Sequence, residues 1–325
     1  MKKMQAPVLF LIFFVPLCSI MKRLLYVITG VLILAGCGMS YEDTKRLKHE
    51  RQQQALREDS AALKVAVMPT LDCLPLFVAE ERLMFDTAVD IRLKRYTALM
   101  DCDTALQRGR VELAVSDLVR TERMAAQGLK LRYLTATNAY WLLIGNRNQR
   151  ITELKHLDDR MVAMTRYSAT DLLAEMAVDS GKLKPERVFR IQVNDVNVRL
   201  GMLENNVMDA LLLTEPQLTQ AMLGRHHVLL DSRKEDLRMG VIAGDSVAMG
   251  EAGRQRQLKA LIDGYNKACD SINLFGVRHY GYVVRKYCDL SELALRQLPD
   301  SLHYEHVAAP RQKDVERARR WLGGK

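Results

Sequence analysis

From Lys64 onward, short aliphatic or β-branched runs alternate with stretches of helical periodicity, and this alternation constrains the fold more than any other feature. Lys64-Val65-Ala66-Val67 reads as a buried strand stopped by the turn chemistry of Pro69-Thr70-Leu71-Asp72. Leu74, Phe77, Val78 and Phe85 then recur at helical spacing, with Glu80, Glu81 and Arg82 on the other face. Residues 89–93 alternate as a strand, 101–109 as a helix, and 113–115 form a strand ending at Ser116-Asp117. Residues 118–127 are helical, and 130–145 give one or two strands. This βαβαβαβ order predicts an α/β fold with a mostly parallel sheet covered by helices on both faces.

A second series begins after the polar break at 146–149. A short helix at 151–158 leads to strands at 161–164, 189–193 and 210–213, separated by helices at 168–180 and 196–204 and followed by one at 216–223. Each series is about 80–90 residues, within the usual domain range. Strands at 228–230 and 240–243 leave the second series, and the chain then turns helical over 254–275, 277–287 and 314–321, expected to pack back on the first unit.

A polar turn between the carboxyl end of a parallel strand and a helix N-terminus gathers free backbone N–H groups, so residues 64–85 are the first candidate for ligand contact. The same residues also make an ordinary connection, with Asp72 as helix cap and Pro75 in the first turn, where its missing N–H costs nothing.

The first 36 residues stand apart. Residues 1–20 and 21–36 each have the basic start and apolar run of a signal peptide, and both runs are short of the roughly 20 residues a spanning helix needs. The expectation is that translation starts at Met21 and that residues 1–20 are a mis-assigned start. Leu34-Ala35-Gly36-Cys37 resembles a bacterial lipobox, which implies cleavage before Cys37 and lipid attachment to its sulfur. Removing the four bases of this segment leaves 44 of 48 against 39 acids, a net charge of +5 rather than +9. No basic stripe interleaved with aromatics remains, so nucleic acid is excluded as a partner. Residues 37–62 are charged and glutamine-rich with few large apolar side chains, and read as a tether.

Cys73, Cys102, Cys269 and Cys288 remain in an exported chain, where disulfides are permitted. Four cysteines allow three connectivities, and their spacing fits no zinc site.

Taken in order, VAVMPTLDCLPLFVAEERLMF, ALQRGRVELAVSDL and RLGMLENNVMDALLLTEP resemble segments of the type II periplasmic substrate-binding proteins of ABC importers. The likeness is to the branch that binds sulfonates, nitrate and thiamine-pyrimidine precursors, and it spans roughly residues 64–321. It implies two lobes, each a mostly parallel sheet flanked by helices, joined by two crossover strands and closing on a ligand by hinge motion. Lobe I is expected to comprise residues 63–145 and 240–325, and lobe II residues 146–239.

Carried over on matching segments, the family's ligand positions fall on Thr70, Leu71 and Asp72 in the first loop and on Ser116 and Asp117 in the third-strand loop. Asn138, Tyr140 and Trp141 fall near the first crossover. In the second lobe the positions are Tyr167 and Ser168, then Asp195, then Thr214 and Glu215. Up to four carboxylates against one nearby base, Arg166, disfavour an anion and suit a neutral or cationic ligand stacked on Tyr140, Trp141 or Tyr167; equally, Asp72 and Asp195 would serve as helix caps and Glu215 would point away. The implied fold also brings Cys73 near Cys102 and Cys269 near Cys288, which are the candidate disulfides.

The resemblance implies a monomeric, lipid-anchored, periplasmic receptor that delivers a small polar or heteroaromatic molecule to an ABC importer permease, without cofactor, metal or catalysis. Two alternatives stay open: a ligand sensor with no transport role, and an enzyme related to thiamine-pyrimidine synthesis. Against the enzyme, His226, His227, His303 and His306 sit beside no candidate nucleophile, and that enzyme's cysteine-rich iron-binding motif is missing.

Overall fold

The computed structural model describes residues 41–325. Both signal-like segments and Cys37 lie outside those residues. The chain divides into two compact units, residues 1–60 and 61–325. The described part of the first is helix α1 (Tyr41–Ala61), whose exposed polar side chains pair along the helix, Gln54 Nε2 donating to Glu58 Oε1 at 3.0 Å. No helix among the described residues is long and apolar enough to cross a membrane.

The second unit is built on two five-stranded sheets. The first contains β1 (Leu63–Val67), β2 (Ile91–Arg95), β3 (Leu113–Asp117), β4 (Leu131–Ala136) and β10 (Gly240–Asp245), in the order β2-β1-β3-β10-β4. The second contains β5 (Leu142–Gly145), β6 (Arg160–Met164), β7 (Val188–Gln192), β8 (Ala210–Leu213) and β9 (His227–Asp231), in the order β7-β6-β8-β5-β9. In each sheet four strands run one way and one runs against them, β10 in the first and β5 in the second. Those two exceptions are the first strands after each crossover between sheets. Residues 130–145 therefore split, β4 staying in the first sheet and β5 pairing with β8 and β9 in the second, where its carbonyls and amides find partners.

Position in the sheet explains the sequence of each strand. β1 (LKVAV) and β3 (LAVSD) are buried throughout, because helices cover both faces, and their Val65-Ala66-Val67 and Leu113-Ala114-Val115 segments read as short apolar runs. The edge strands β2 (IRLKR) and β7 (VFRIQ) are partly exposed and carry bases, which protect an edge from pairing with other chains.

The helices are α2 (Leu74–Glu81), α3 (Leu99–Gln107), α4 (Leu118–Ala126), α5 (Ala169–Ser180), α6 (Val196–Glu204) and α7 (Gln217–Met222), then α8 (Ser246–Gly250), α9 (Ala252–Phe275), α10 (Gly281–Cys288), α11 (Glu292–Gln297) and α12 (Gln312–Gly323). Helix α9 packs on α2, and Gly264 is what lets it approach: a Cβ there would lie 2.5 Å from the Phe85 ring. Phe77 stacks on Tyr287 of α10 with ring centroids 4.3 Å apart. Helix α12 reaches both sheets' neighbourhoods, burying Val315 and Ala318 with Leu118 of α4 and Leu173 of α5 in one apolar cluster. The last helix thus touches both halves rather than the first alone.

None of the four cysteines is bonded to another. Both disulfides implied by the resemblance are missing from this structure, and each thiol is instead a small apolar filler of the core. Cys73 lies 3.7 Å from the Thr70 hydroxyl, and the Cys269 thiol donates to the Glu305 carbonyl at 3.4 Å.

Candidate functional site

A cavity of ≈ 50 Å³ lies between the two sheets, lined by loops from both. One water needs about 10–15 Å³ by the same kind of measure, so a few small groups fit. From the first sheet come Thr70, Asp72, Ser116 and Asp117; from the first crossover comes Trp141; from the second sheet come Ser168 and Thr214. All seven are sequence-expected positions. The strand-to-helix loops put them there because parallel strands release their chains at the same carboxyl edge.

Six other expected residues lie off the cavity, each for a visible reason. Leu71 gives its N–H to the Glu215 carbonyl at 2.9 Å, a backbone bond between the two halves. The Glu215 carboxylate turns away, accepting from the Tyr140 hydroxyl at 2.8 Å and the Thr219 hydroxyl at 2.7 Å. Tyr140 is thereby held outside, under the guanidinium of Arg233 at 4.0 Å. Asn138 donates to the His303 carbonyl at 2.9 Å. Asp195 caps α6, accepting from the Asn197 and Val198 amides at 2.8 and 3.0 Å. Tyr167, with φ at +52°, puts its ring against Arg123 of α4. Of the three aromatic residues expected to stack on a ligand, only Trp141 lines the cavity.

The cavity is shut by bonds from one half to the other. Besides Leu71 to Glu215, Gln217 Nε2 donates to the Pro69 carbonyl at 2.9 Å, the Val196 amide to the Thr97 carbonyl at 3.3 Å, and Arg120 Nη1 to the Arg166 carbonyl at 3.0 Å. Ala98 and Asp195 form an isolated antiparallel bridge. The two crossovers also hold each other: the Trp141 amide donates to Ser232 Oγ, and the Ser232 amide to the Trp141 carbonyl, both at 3.0 Å. The geometry is that of a closed cleft.

Burial sets the electrostatics. Asp117 accepts from the Arg120 amide at 3.0 Å as the cap of α4, yet burial pushes its carboxyl up to about 7 against the opposing pull of that amide, Arg120 and the Ala169 amide. Burial also raises the Asp72 carboxyl, despite hydrogen bonds from Thr70 and Thr137. Ser116 donates to Asp103 Oδ1 at 3.1 Å, and Asp103 is ion-paired with Arg120 in the interior. Ser168 gives its proton to the Thr165 carbonyl at 2.7 Å and accepts from the Thr170 amide as the cap of α5.

The base beside the cavity is not the expected one. Arg166 presents its carbonyl to Arg120, and it is Arg199 of α6 whose side chain lines the cavity. Its signal was in the sequence: Val196, Arg199 and Leu203 share the buried stripe of α6, so the guanidinium is carried inward by apolar periodicity. Thr165, Thr170 and Asn194 also line the cavity without having been expected.

No family model matches the chain, and no curated protein does either. Solved structures do match. The ligand-binding component of an ABC-type import system from Staphylococcus aureus, with zinc bound, superposes with TM-score 0.68 at 15% identity, covering 81% of this chain and 91% of that one. The periplasmic aliphatic sulphonate binding protein of Escherichia coli gives TM-score 0.65 at 15% identity over 81% of this chain and 92% of its own. The periplasmic nitrate-binding protein of Synechocystis PCC 6803 gives 0.62 at 13% identity over 78% and 74%. Together with the two matched sheets and their two crossovers, these likenesses establish that the chain has the two-lobed α/β fold of periplasmic binding proteins.

Proposed function

We propose that this protein is a solute receptor that closes on a small polar molecule in the cleft between its two sheets and presents it to an ABC importer. The observation that carries this reading is the cavity itself: it is lined from both sheets by strand-end loops and closed by hydrogen bonds that run from one half to the other. Such a site cannot be filled without opening, which is how a hinged receptor captures and releases. Solved proteins of the same fold named for ABC import, sulphonate binding and nitrate binding support the assignment.

Binding without turnover fits the hydroxyls. Ser168 gives its proton to a backbone carbonyl, which is no base, and the carboxylate that accepts from Ser116 is held in an interior ion pair with Arg120. The lobes we take as residues 63–145 with 240–325 and residues 146–239, with strand β5 contributed to the second sheet. The lipobox-like Leu34-Ala35-Gly36-Cys37 supports a membrane anchor on the periplasmic side.

Native mass spectrometry of the full-length protein from its producing cells tests the reading. The expected result is a small molecule retained by the folded protein and recovered unchanged on unfolding. Recovery of a converted product would instead support an enzyme.

A further inference from the structure

Helix α12 is bonded to both lobes at once. On the first-lobe side, Glu122 of α4 is 8% exposed and accepts from Arg319 Nε at 2.7 Å, from Arg319 Nη2 at 3.2 Å and from the Tyr133 hydroxyl of β4. On the second-lobe side, Lys325, just beyond the helix, is ion-paired with Glu175 of α5, and Arg317 Nη1 donates to the Glu235 carbonyl at 3.4 Å. Before the helix starts, Arg311 Nη1 donates to Asp236 Oδ1 at 2.6 Å, and Lys313 pairs with the same carboxylate.

These grips are unequal in place and in strength. Asp236 lies between β9 and β10, on the second crossover, and a hinge turns about its crossovers, so contacts there survive opening. Trp321 and Lys325 sit at the other end of this twelve-residue helix, roughly 18 Å long, against α5. When the lobes part, α12 cannot keep both Glu122 and Glu175. Glu122 is interior and held by three donors, whereas Lys325 and Glu175 are 28% and 32% exposed, a pair that solvent screens. The weaker grip yields, and α12 stays with the first lobe. Trp321 favours the same break. Its ring packs on the apolar cluster that draws on both sheets, but Nε1 is buried with no acceptor among the described residues. A buried donor without a partner raises the free energy of the closed form, and opening relieves it by admitting water.

We propose that α12 is a latch: anchored on the first lobe through Arg319 and Glu122, it engages the second lobe through Trp321 and Lys325 only when the cleft is shut. The latch sets the fraction of the protein that is closed without touching anything in the cavity. It rests on the receptor reading above only for the step from closure to ligand affinity.

Hydrogen exchange with mass spectrometry on the full-length protein in detergent tests it and needs no ligand. The Leu71 amide donates to the Glu215 carbonyl and the Val196 amide to the Thr97 carbonyl, so both bonds run between the lobes and break on opening. Where reclosing outpaces exchange, the rate at these amides follows the open population. Lys325→Ala and Glu175→Gln are each expected to speed exchange at Leu71 and Val196 about 2- to 5-fold, what an exposed ion pair supplies, and the double variant no further than either alone. Trp321→Ala is expected to speed it about 10-fold or more through the apolar area lost. Amides within β1 and β6 are expected to keep their rates in all of these, and Arg320→Ala, an exposed position on the same helix, to change nothing. Unchanged exchange at Leu71 and Val196 in the folded variants overturns the latch, and so does an equal acceleration in β1 and β6, which would make α12 a contributor to global stability alone. Lys325 and Glu175 are partly exposed, so their variants decide the matter even if Trp321→Ala does not fold. A small molecule retained in native mass spectrometry together with unchanged exchange keeps the receptor and removes the latch; accelerated exchange with nothing retained does the reverse.

Discussion

The ring of Tyr167 lies under the guanidinium of Arg123, 4.0 Å from centroid to Cζ, and the two residues belong to loops and helices of different sheets. An aromatic residue at the mouth of the cleft is therefore part of the closure rather than a platform for ligand. The neighbouring contact, Arg120 to the Arg166 carbonyl, makes α4 the element that the second lobe's loop grips.

From that pairing, Arg123→Ala is expected to loosen the closed form. A cation over an aromatic face contributes about 0.5–2 kcal/mol, depending on how dry it is. Urea unfolding should show a loss in that range for Arg123→Ala and for Tyr167→Ala, whereas Tyr167→Phe, which keeps the ring, should match the unaltered protein. Equal losses for Phe and Ala would mean that the hydroxyl, and not the ring, matters.

The interior pair of Asp103 and Arg120 makes a sharper demand. Both side chains are nearly fully buried, and Asp103 also accepts from Ser116 at the cavity wall. Removing only the base strands a carboxylate that burial already pushes up. Arg120→Met is expected to cost about 3–5 kcal/mol by chemical denaturation, and the double variant Asp103→Asn with Arg120→Met substantially less, because the orphaned charge is gone. Additive losses would place the two residues in separate roles.

How much of this was legible in the chain differs by level. Strands buried on both faces announce themselves as apolar runs, and the βα alternation orders them, so β1, β3, β6 and β8 and the loops after them could be read directly. The loop bearing Thr70 and Asp72 followed from the strand and helix around it, whereas Ser116, Asp117, Ser168 and Thr214 came from the resemblance of their segments to a known family. Side-chain direction could not be read that way. Whether Glu215 faces the cavity or Tyr140, and whether Tyr167 faces a ligand or Arg123, depends on partners 75 residues off in sequence in the first case and on the other lobe in the second. Arg199 lies within a helix rather than in a strand-end loop, and its place on an apolar stripe is the sign the sequence carries for it.

Protonation of Asp117 gives a pH dependence whose sign can be worked out. Its carboxyl is raised to about 7 in the folded protein from 3.8, so the folded state holds the proton more tightly than the unfolded state. The resulting stabilisation is full below about pH 4, declines as pH rises between those two values, and is lost above about 7. In that window its slope is at most about 1.4 kcal/mol per pH unit. Asp117→Asn keeps the cap on α4 and cannot titrate, so the difference in unfolding midpoint between the two proteins should shift in favour of the variant from pH 5 to pH 8. Parallel pH profiles would remove Asp117 from the account and leave Asp72, shifted in the same direction, as the remaining source at the cavity wall.

The cysteines can be settled by accessibility. Cys73, Cys102, Cys269 and Cys288 are all buried, and burial pushes every one of these thiols up, Cys269 to about 12. A thiol so shifted has almost no thiolate at neutral pH, and thiolate is the reactive species. Iodoacetamide followed by peptide mapping should leave the four untouched in the native protein and label all four in guanidinium without any reductant. The second half carries the argument. If the chain is exported, as proposed above, it meets oxidising conditions that would join neighbouring thiols, and burial alone would hide a disulfide as well as a free thiol. Only labelling in denaturant separates the two, because a bonded pair stays unlabelled until it is reduced. If Cys73 and Cys102 fail to label there and do so after reduction, a cross-link ties the loop bearing Thr70 and Asp72 to helix α3, and the core arrangement described for these two thiols is wrong.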